Sequence, residues 1–454
     1  MELRILALVP VLGLAVACDG GGEDTGKTPD PIYVTNTVTK PVTETITITE
    51  TGSPVVVDEY LGVITDCIPT AGNICPWAGA GYNGYNGDVS TFNLWFSFPM
   101  GVEISPYGPP AIADWNNHKI RILENFTEPG TGVVRTIMGT DFLGDGDPAR
   151  KDLTDEGAPG TTVNLNHPTE HEYAPDGLLY SASWHTHKIR TWDPATDLVH
   201  VIAGLGAGYL PADQLGPVAT TGKDARFNQL KQLHLGQNGV IYINDMRNER
   251  VRKWDRNAGT IETILGTGVR GIGPDVGTPT GTMINLPNGT NPEPGGAMAF
   301  TADESMMYFA DTLSNCIRAV DFDNNSVSTL AGLCDEVGDN AVGNGVNARF
   351  NYPIDLALDE ATGELFVADA NNHQVKVIDV DTGVVSVFAG TGEPTCPSVD
   401  AAVPSFCDEQ HLAGDGGPSL DATLYRPFGV ELDLDGNLVI SDTYNHRIRI
   451  AYRN

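Results

Sequence analysis

From about residue 74 to the C-terminus, the chain repeats one pattern of apolar and polar positions. A short hydrophobic strand ends in Asp or a substitute. A polar turn follows, and then a second strand in which basic and apolar residues alternate. The copies read "AIADWNNHKIRILE" from Ala111, "LYSASWHTHKIRTWD" from Leu179, "IYINDMRNERVRKWD" from Ile241, "MYFADTLSNCIRAVD" from Met307, "LFVADANNHQVKVID" from Leu365 and "LVISDTYNHRIRIAY" from Leu438. Period-two alternation broken by Gly, Asn and Asp predicts β-strands joined by tight turns. A further strand precedes each copy, as in "RPFGVELDLDG", and most are followed by another, as in "TLAG" at Thr329 and "VFAG" at Val387.

Each unit therefore holds four short strands. The unit from Pro353 to Gly390 matches the roughly 40–45 residues of a four-stranded propeller blade. Gly/Pro/Asp-rich insertions between the last strand of one unit and the first of the next lengthen the average spacing, and they fall on one face. The predicted fold is all-β: a six-bladed β-propeller spanning residues 58–454. The sixth unit stops at Asn454 without an outer strand, whereas "NICPWAGAGYNGYNGD" from Asn73 is an outer strand with no blade before it. A ring must hide its edges. The strand near residues 74–80 is thus expected to complete the last blade.

The pattern resembles the NHL repeat family, named for an Asn-His-Leu turn, whose units close into a propeller. The resemblance is strongest in "NNHKIR" at Asn116, "ANNHQVKVID" at Ala370, "TYNHRIRI" at Thr443 and the run from Leu412 to Asp442.

Composition supports this body and adds a setting. With 52 Gly, 30 Pro and only 19% charged residues, the chain suits many turns more than long helices. Acidic residues outnumber basic ones by 59 to 26, for a formal charge of −33, so nucleic acid is excluded as a ligand class. The apolar run Ile5 to Ala17 suits a signal peptide and is short for a membrane span. It ends in Ala15-Val16-Ala17-Cys18, which resembles a bacterial lipobox, although Leu14 sits one place early. Residues 1–18 are read as an export signal ending at a lipidated Cys18, with ordinary signal cleavage as the alternative. Residues 19–57 are read as a disordered Thr/Pro/Glu-rich tether. The expected location is the bacterial cell envelope, lipid-anchored, or the medium.

Six further cysteines, Cys67, Cys75, Cys316, Cys334, Cys396 and Cys407, fall into three local pairs, expected as structural disulfides in an exported protein. No CxxC spacing favours zinc instead.

The Asp that ends the second strand recurs in five blades, as Asp114, Asp245, Asp311, Asp369 and Asp442, with Ser183 in the other. So general a residue is expected to be structural, and His118, His187, His373 and His446 likewise. Residues that break the repeat are more informative. On the innermost strand, Glu103, Glu170, Glu172, His234, Asp355 and Glu431 stand where the related repeats often carry small residues. Their side chains would converge on the axial channel, as a hydrated polar lining or as a site for calcium or another divalent metal. The turns from Leu143 and Leu412 alternate Asp and Gly, which suits calcium, but they fit the ordinary inter-blade loop better. There is no GxxxxGK[ST], GxSxG or HExxH motif.

The expected function is a monomeric binding module displaying loops to a protein, peptide or glycan, with Trp115, Trp184 and Tyr444 as candidate contacts, packing between blades being the equal or better account of each one singly. The alternative is a metal-dependent hydrolase or lyase using the axial cluster. No cofactor is assigned with certainty.

Overall fold

The structure is a computed structural model. It describes residues 67–204, 225–288, 293–339, 343–393 and 414–453, together with Gly222, Leu3–Arg4 and Thr47–Ile48. In the N-terminal unit, Met1–Gly62, the described residues are two short strands, Leu3–Arg4 and Thr47–Ile48, paired antiparallel. Cys18 and the rest of the expected tether lie outside the described residues, as do Cys396 and Cys407.

Among its described residues the second unit, Val63–Asn454, is built of six antiparallel sheets, in each of which the first three strands follow one another outward in chain order. The inner strands are Pro99–Glu103, Pro168–Tyr173, Leu230–Leu235, Met298–Phe300, Pro353–Asp359 and Gly429–Leu432. In blade 6 the outer strand is Ile74–Ala78, pairing Ile450 with Cys75 and Ala451 with Ile74. The N-terminal end of the ring is thereby hydrogen-bonded to its C-terminal end, as the displaced count of strands predicts. Blades 2, 4 and 5 gain a two-residue fifth strand from the preceding insertion, Ala158–Pro159, Val276–Gly277 and Gly343–Asn344. Four strands were expected; these additions cover edges that would otherwise be open to pairing.

The repeated Asp holds each blade together from inside. Its carboxylate accepts a backbone N–H from the segment leading into the inner strand: Ser97 to Asp114, Asn228 to Asp245, Asn285 to Asp311, Asn351 to Asp369 and Tyr425 to Asp442, all within 2.9 Å. The basic residue seven positions on, in the third strand, faces it: Arg121, Arg252, Arg318, Lys376 and Arg449 at 2.6 to 3.4 Å. In every blade a bulge against the outer strand falls at this basic residue, letting it turn inward. Blade 2 has Ser183 instead, and Arg190 finds its carboxylate in the insertion, at Asp145 Oδ1 3.0 Å away. Asp145 and Asp415, which belong to the two acidic turns considered for calcium, are thus paired with Lys188 and Arg190 and with Arg447 and Arg449.

Histidines of the turn join neighbouring blades. Each sits in the left-handed region, with φ between 53° and 56°, and its Nδ1 accepts a backbone N–H of the next blade. His118 takes His167 N–H, His187 takes Gln229, His373 takes Arg426 and His446 takes Phe98 across the ring closure. Glu249 and Asn315 do the same in blades 3 and 4. The glycine that follows the outer strand belongs to the same device: at Gly390, φ is 97° and a Cβ would stand 2.5 Å from the His373 carbonyl.

Apolar side chains between blades form the core, for example Ile122, Ile137, Met138, Leu179 and Trp192 between blades 1 and 2. Cys316 is bonded to Cys334 and Cys67 to Cys75. Trp184 is 0% exposed, and Trp115 and Tyr444 are half-buried, so the aromatic contact points suggested by the sequence are largely inter-blade packing.

Candidate functional site

Six inner strands around one axis bring the off-pattern residues together, because side chains at alternate positions of each strand face the channel. Glu103, Glu170, Glu172, Asp355 and Glu431 lie within electrostatic range of one another. Burial, reinforced by Glu172, lifts the Glu103 carboxyl to about 8. Burial also lifts Glu170 to about 7, although Lys231 opposes the rise. Glu431 is raised well above the usual range by burial and by its four acidic neighbours.

Most of these groups already have partners. Glu103 Oε1 accepts the Tyr173 N–H at 3.1 Å, and Glu172 Oε2 accepts the Leu235 N–H at 2.9 Å. Asp355 Oδ2 accepts the Val430 N–H at 3.0 Å. Each of these bonds runs from one blade to the inner strand of the next. Gln232 repeats the bridge from blade 3 to Met298 of blade 4, donating to its carbonyl and accepting its N–H. Among the described residues no three His, Cys, Asp or Glu side chains are arranged to hold a metal ion.

At the centre is a residue that the sequence reading missed. Lys231 is buried, with Nζ 2.9 Å from Asp355 Oδ1 and 3.3 Å from Glu170 Oε2. Burial disfavours its charge, but the two carboxylates outweigh that and raise its pKa. Strict alternation puts Lys231 on the opposite face of its strand from Gln232. The register of blade 3 shifts between Leu230 and Leu233, however, and this bulge brings Lys231 to the channel. The available signal was that Lys231 is the one Lys or Arg on any of the six inner strands.

Where the inner strands end, His234 Nδ1 lies 3.5 Å from Glu172 Oε2. Burial lowers and the Glu172 carboxylate raises the imidazole pKa, and the net direction is up. His234 stacks on Phe300 with ring centroids 4.7 Å apart and planes 10° from parallel, and Phe300 lies against Tyr242.

This stack forms one wall of a cleft of about 610 Å³ between the inner-to-second-strand turns of blades 2, 3 and 4. These turns are on the face opposite the insertions. Asp176, Tyr180, Gln237, Asn238, Arg256 and Glu304 supply its polar groups. Arg256 Nη1 donates to the Tyr180 hydroxyl at 2.8 Å, and the Tyr242 hydroxyl donates to Glu304 Oε2 at 2.7 Å. Gln237 spans from blade 3 to the Ala302 carbonyl of blade 4. Its lining combines stacked rings with polar groups held by internal hydrogen bonds.

Comparison with known proteins agrees with the fold. The family model described as "NHL repeat" matches residues 350–378, which is the inner three strands of blade 5 without its last residue. NHL repeat-containing protein 2 of Bos taurus is 24% identical over 288 residues, covering 47% of this chain and 37% of that protein. Protein SUPPRESSOR OF QUENCHING 1, chloroplastic, of Arabidopsis thaliana is 24% identical over 200 residues, 34% of this chain and 19% of that one. The chain thus spans less than two fifths of the length of either relative. Two Bacteroides thetaiotaomicron structures share the fold with a TM-score of 0.54. One is described as a protein of unknown function, at 16% identity over 83% of this chain and 75% of its own. The other is described as an auxiliary nutrient binding protein, at 12% identity over 84% and 76%. With its six repeated units, its closing strand and the match in blade 5, the chain is an NHL-repeat β-propeller.

Proposed function

We propose that the protein is an exported, monomeric binding module that holds a small polar ligand on the cleft face of its ring. The observation that carries this reading is the contrast between the two polar features of the channel. Of the five axial carboxylates, Glu103, Glu170, Glu172 and Asp355 are held by Lys231 or by backbone N–H groups. The cleft beside His234 is open, and Arg256 and Phe300 line it. A propeller of the same fold is described as an auxiliary nutrient binding protein, so solute binding is a use to which this architecture is put. The Cys316–Cys334 bond supports an oxidising compartment, and the lipobox-like sequence ending at Cys18 supports a lipid anchor.

A thermal-shift screen of the full chain against sugars, amino acids, dipeptides and organic acids tests the binding reading. A ligand at a hundred times its Kd stabilises by about 2.7 kcal/mol. At least one compound is expected to raise Tm by several degrees in the wild type and not in Arg256→Ala. A screen in which no compound shifts Tm overturns the reading. Export is tested by fractionation: the wild type is expected with the membrane, and Cys18→Ala is expected to be released.

A further inference from the structure

Resting on the binding reading above, we infer that the cleft between blades 2, 3 and 4 takes a neutral saccharide. A sugar ring offers an apolar C–H face and a rim of hydroxyls, each of which both donates and accepts. The cleft offers the complement. The Phe300 ring, with the His234 imidazole stacked on it, supplies the ring surface of the lining, and His234 keeps 32% of its side chain exposed. Both donors and acceptors belong to the same lining: the Arg256 guanidinium, the Asp176 carboxylate and the amides of Gln237 and Asn238.

Charge separates this class from its competitors. Arg256 and His234 share the lining with Asp176 and Glu304, so neither a strong anion nor a strong cation meets a lining of one opposite sign. An anion would also approach a chain of net charge −33. Glu304 is committed internally, accepting from the Tyr242 hydroxyl and from the Gln237 N–H, which leaves it a fixed wall group. Arg256 is the reverse case: it is exposed and oriented by one bond to Tyr180, with its ring-facing side over Tyr180 and Trp254. An extended peptide would need an open strand edge or apolar side-chain pockets. The strand ends here are capped by Gly236–Val240 and by Thr301–Met306, whose backbones bond to themselves.

The experiment is calorimetric titration of the full chain with glucose, galactose, mannose, xylose and N-acetylglucosamine and with their common disaccharides. At least one is expected to bind, with affinity reduced tenfold or more in both Phe300→Ala and Arg256→Ala. Because Phe300 is partly buried, Arg256→Ala and Asp176→Asn serve as variants with wild-type melting. No binding by any of these sugars, or binding that both Arg256→Ala and Phe300→Ala leave unchanged, overturns the inference. If organic acids or dipeptides bind in an Arg256-dependent way while every sugar fails, the saccharide class falls and the binding reading stands. If nothing binds, both fall.

Discussion

Lys231 Nζ lies 2.9 Å from Asp355 Oδ1, which joins blade 3 to blade 5 past blade 4. Blade 4 offers only Ala297 and Ala299 at the two channel-facing positions. The same ammonium reaches Glu170 of blade 2, so one buried cation ties three inner strands. Removing one member of a buried ion pair strands the other and costs about 3–5 kcal/mol. Lys231→Met is therefore expected to destabilise strongly in chemical denaturation. Asp355→Asn, which keeps one acceptor and leaves Glu170 on the lysine, is expected to cost less.

Channel carboxyls set a limit on the alkaline side. Glu103 and Glu170 have folded pKa values of about 8 and about 7, raised from the usual carboxylate range first by burial. The folded state keeps protons that the unfolded chain has released, so stability is full below the unfolded pKa and declines as pH rises through 7 and 8. Each retained proton contributes a slope of up to about 1.4 kcal/mol per pH unit. Denaturation midpoints between pH 6.5 and 8.5 are expected to fall, and Glu103→Gln, which still accepts from Tyr173, to flatten the decline.

Histidines of the turns act with the opposite sign. Burial lowers His118, His187, His373 and His446 to about 4, in keeping with Nδ1 acting as an acceptor. Their contribution to stability is present above about 6.5 and is lost as pH falls through 4. Proton NMR titration should show these four imidazoles neutral at pH 5.5. His446→Ala, which removes the bond to Phe98 across the closure, should cost about 1 kcal/mol.

The two described disulfides are expected as Cys67–Cys75 and Cys316–Cys334 peptides in a non-reducing digest. Cys316→Ala should lower stability by about 2–4 kcal/mol relative to the oxidised protein. It should change little once both are reduced.

The scaffold was legible because it repeats: Asp442, Arg449 and His446 recur at fixed offsets, and the orphan strand at Ile74 stood out as the missing piece of blade 6. The site was less legible. Alternation pointed to Glu103, Glu172 and His234, but it placed Lys231 on the wrong face, because a bulge between Leu230 and Leu233 is not encoded in period two. The cleft was invisible for another reason. Asp176, Gln237, Arg256 and Glu304 come from turns of three blades, and only the packing of those consecutive blades sets them side by side. For Trp184 the turn position left surface contact and inter-blade packing both open, and its complete burial decides for packing.

The central claim is that Glu103, Glu170, Glu172 and Asp355 are held at the axis by Lys231 and inter-blade backbone bonds, and that binding belongs to the cleft beside it. Elemental analysis of the full chain, purified without chelator, tests this most directly when wild type and Glu172→Gln are compared and melting is followed with and without EDTA. The account predicts no metal whose stoichiometry differs between the two proteins and no chelator effect that Glu172→Gln abolishes. One divalent ion per chain that is present in the wild type, stabilises it and is lost with Glu172→Gln would contradict it.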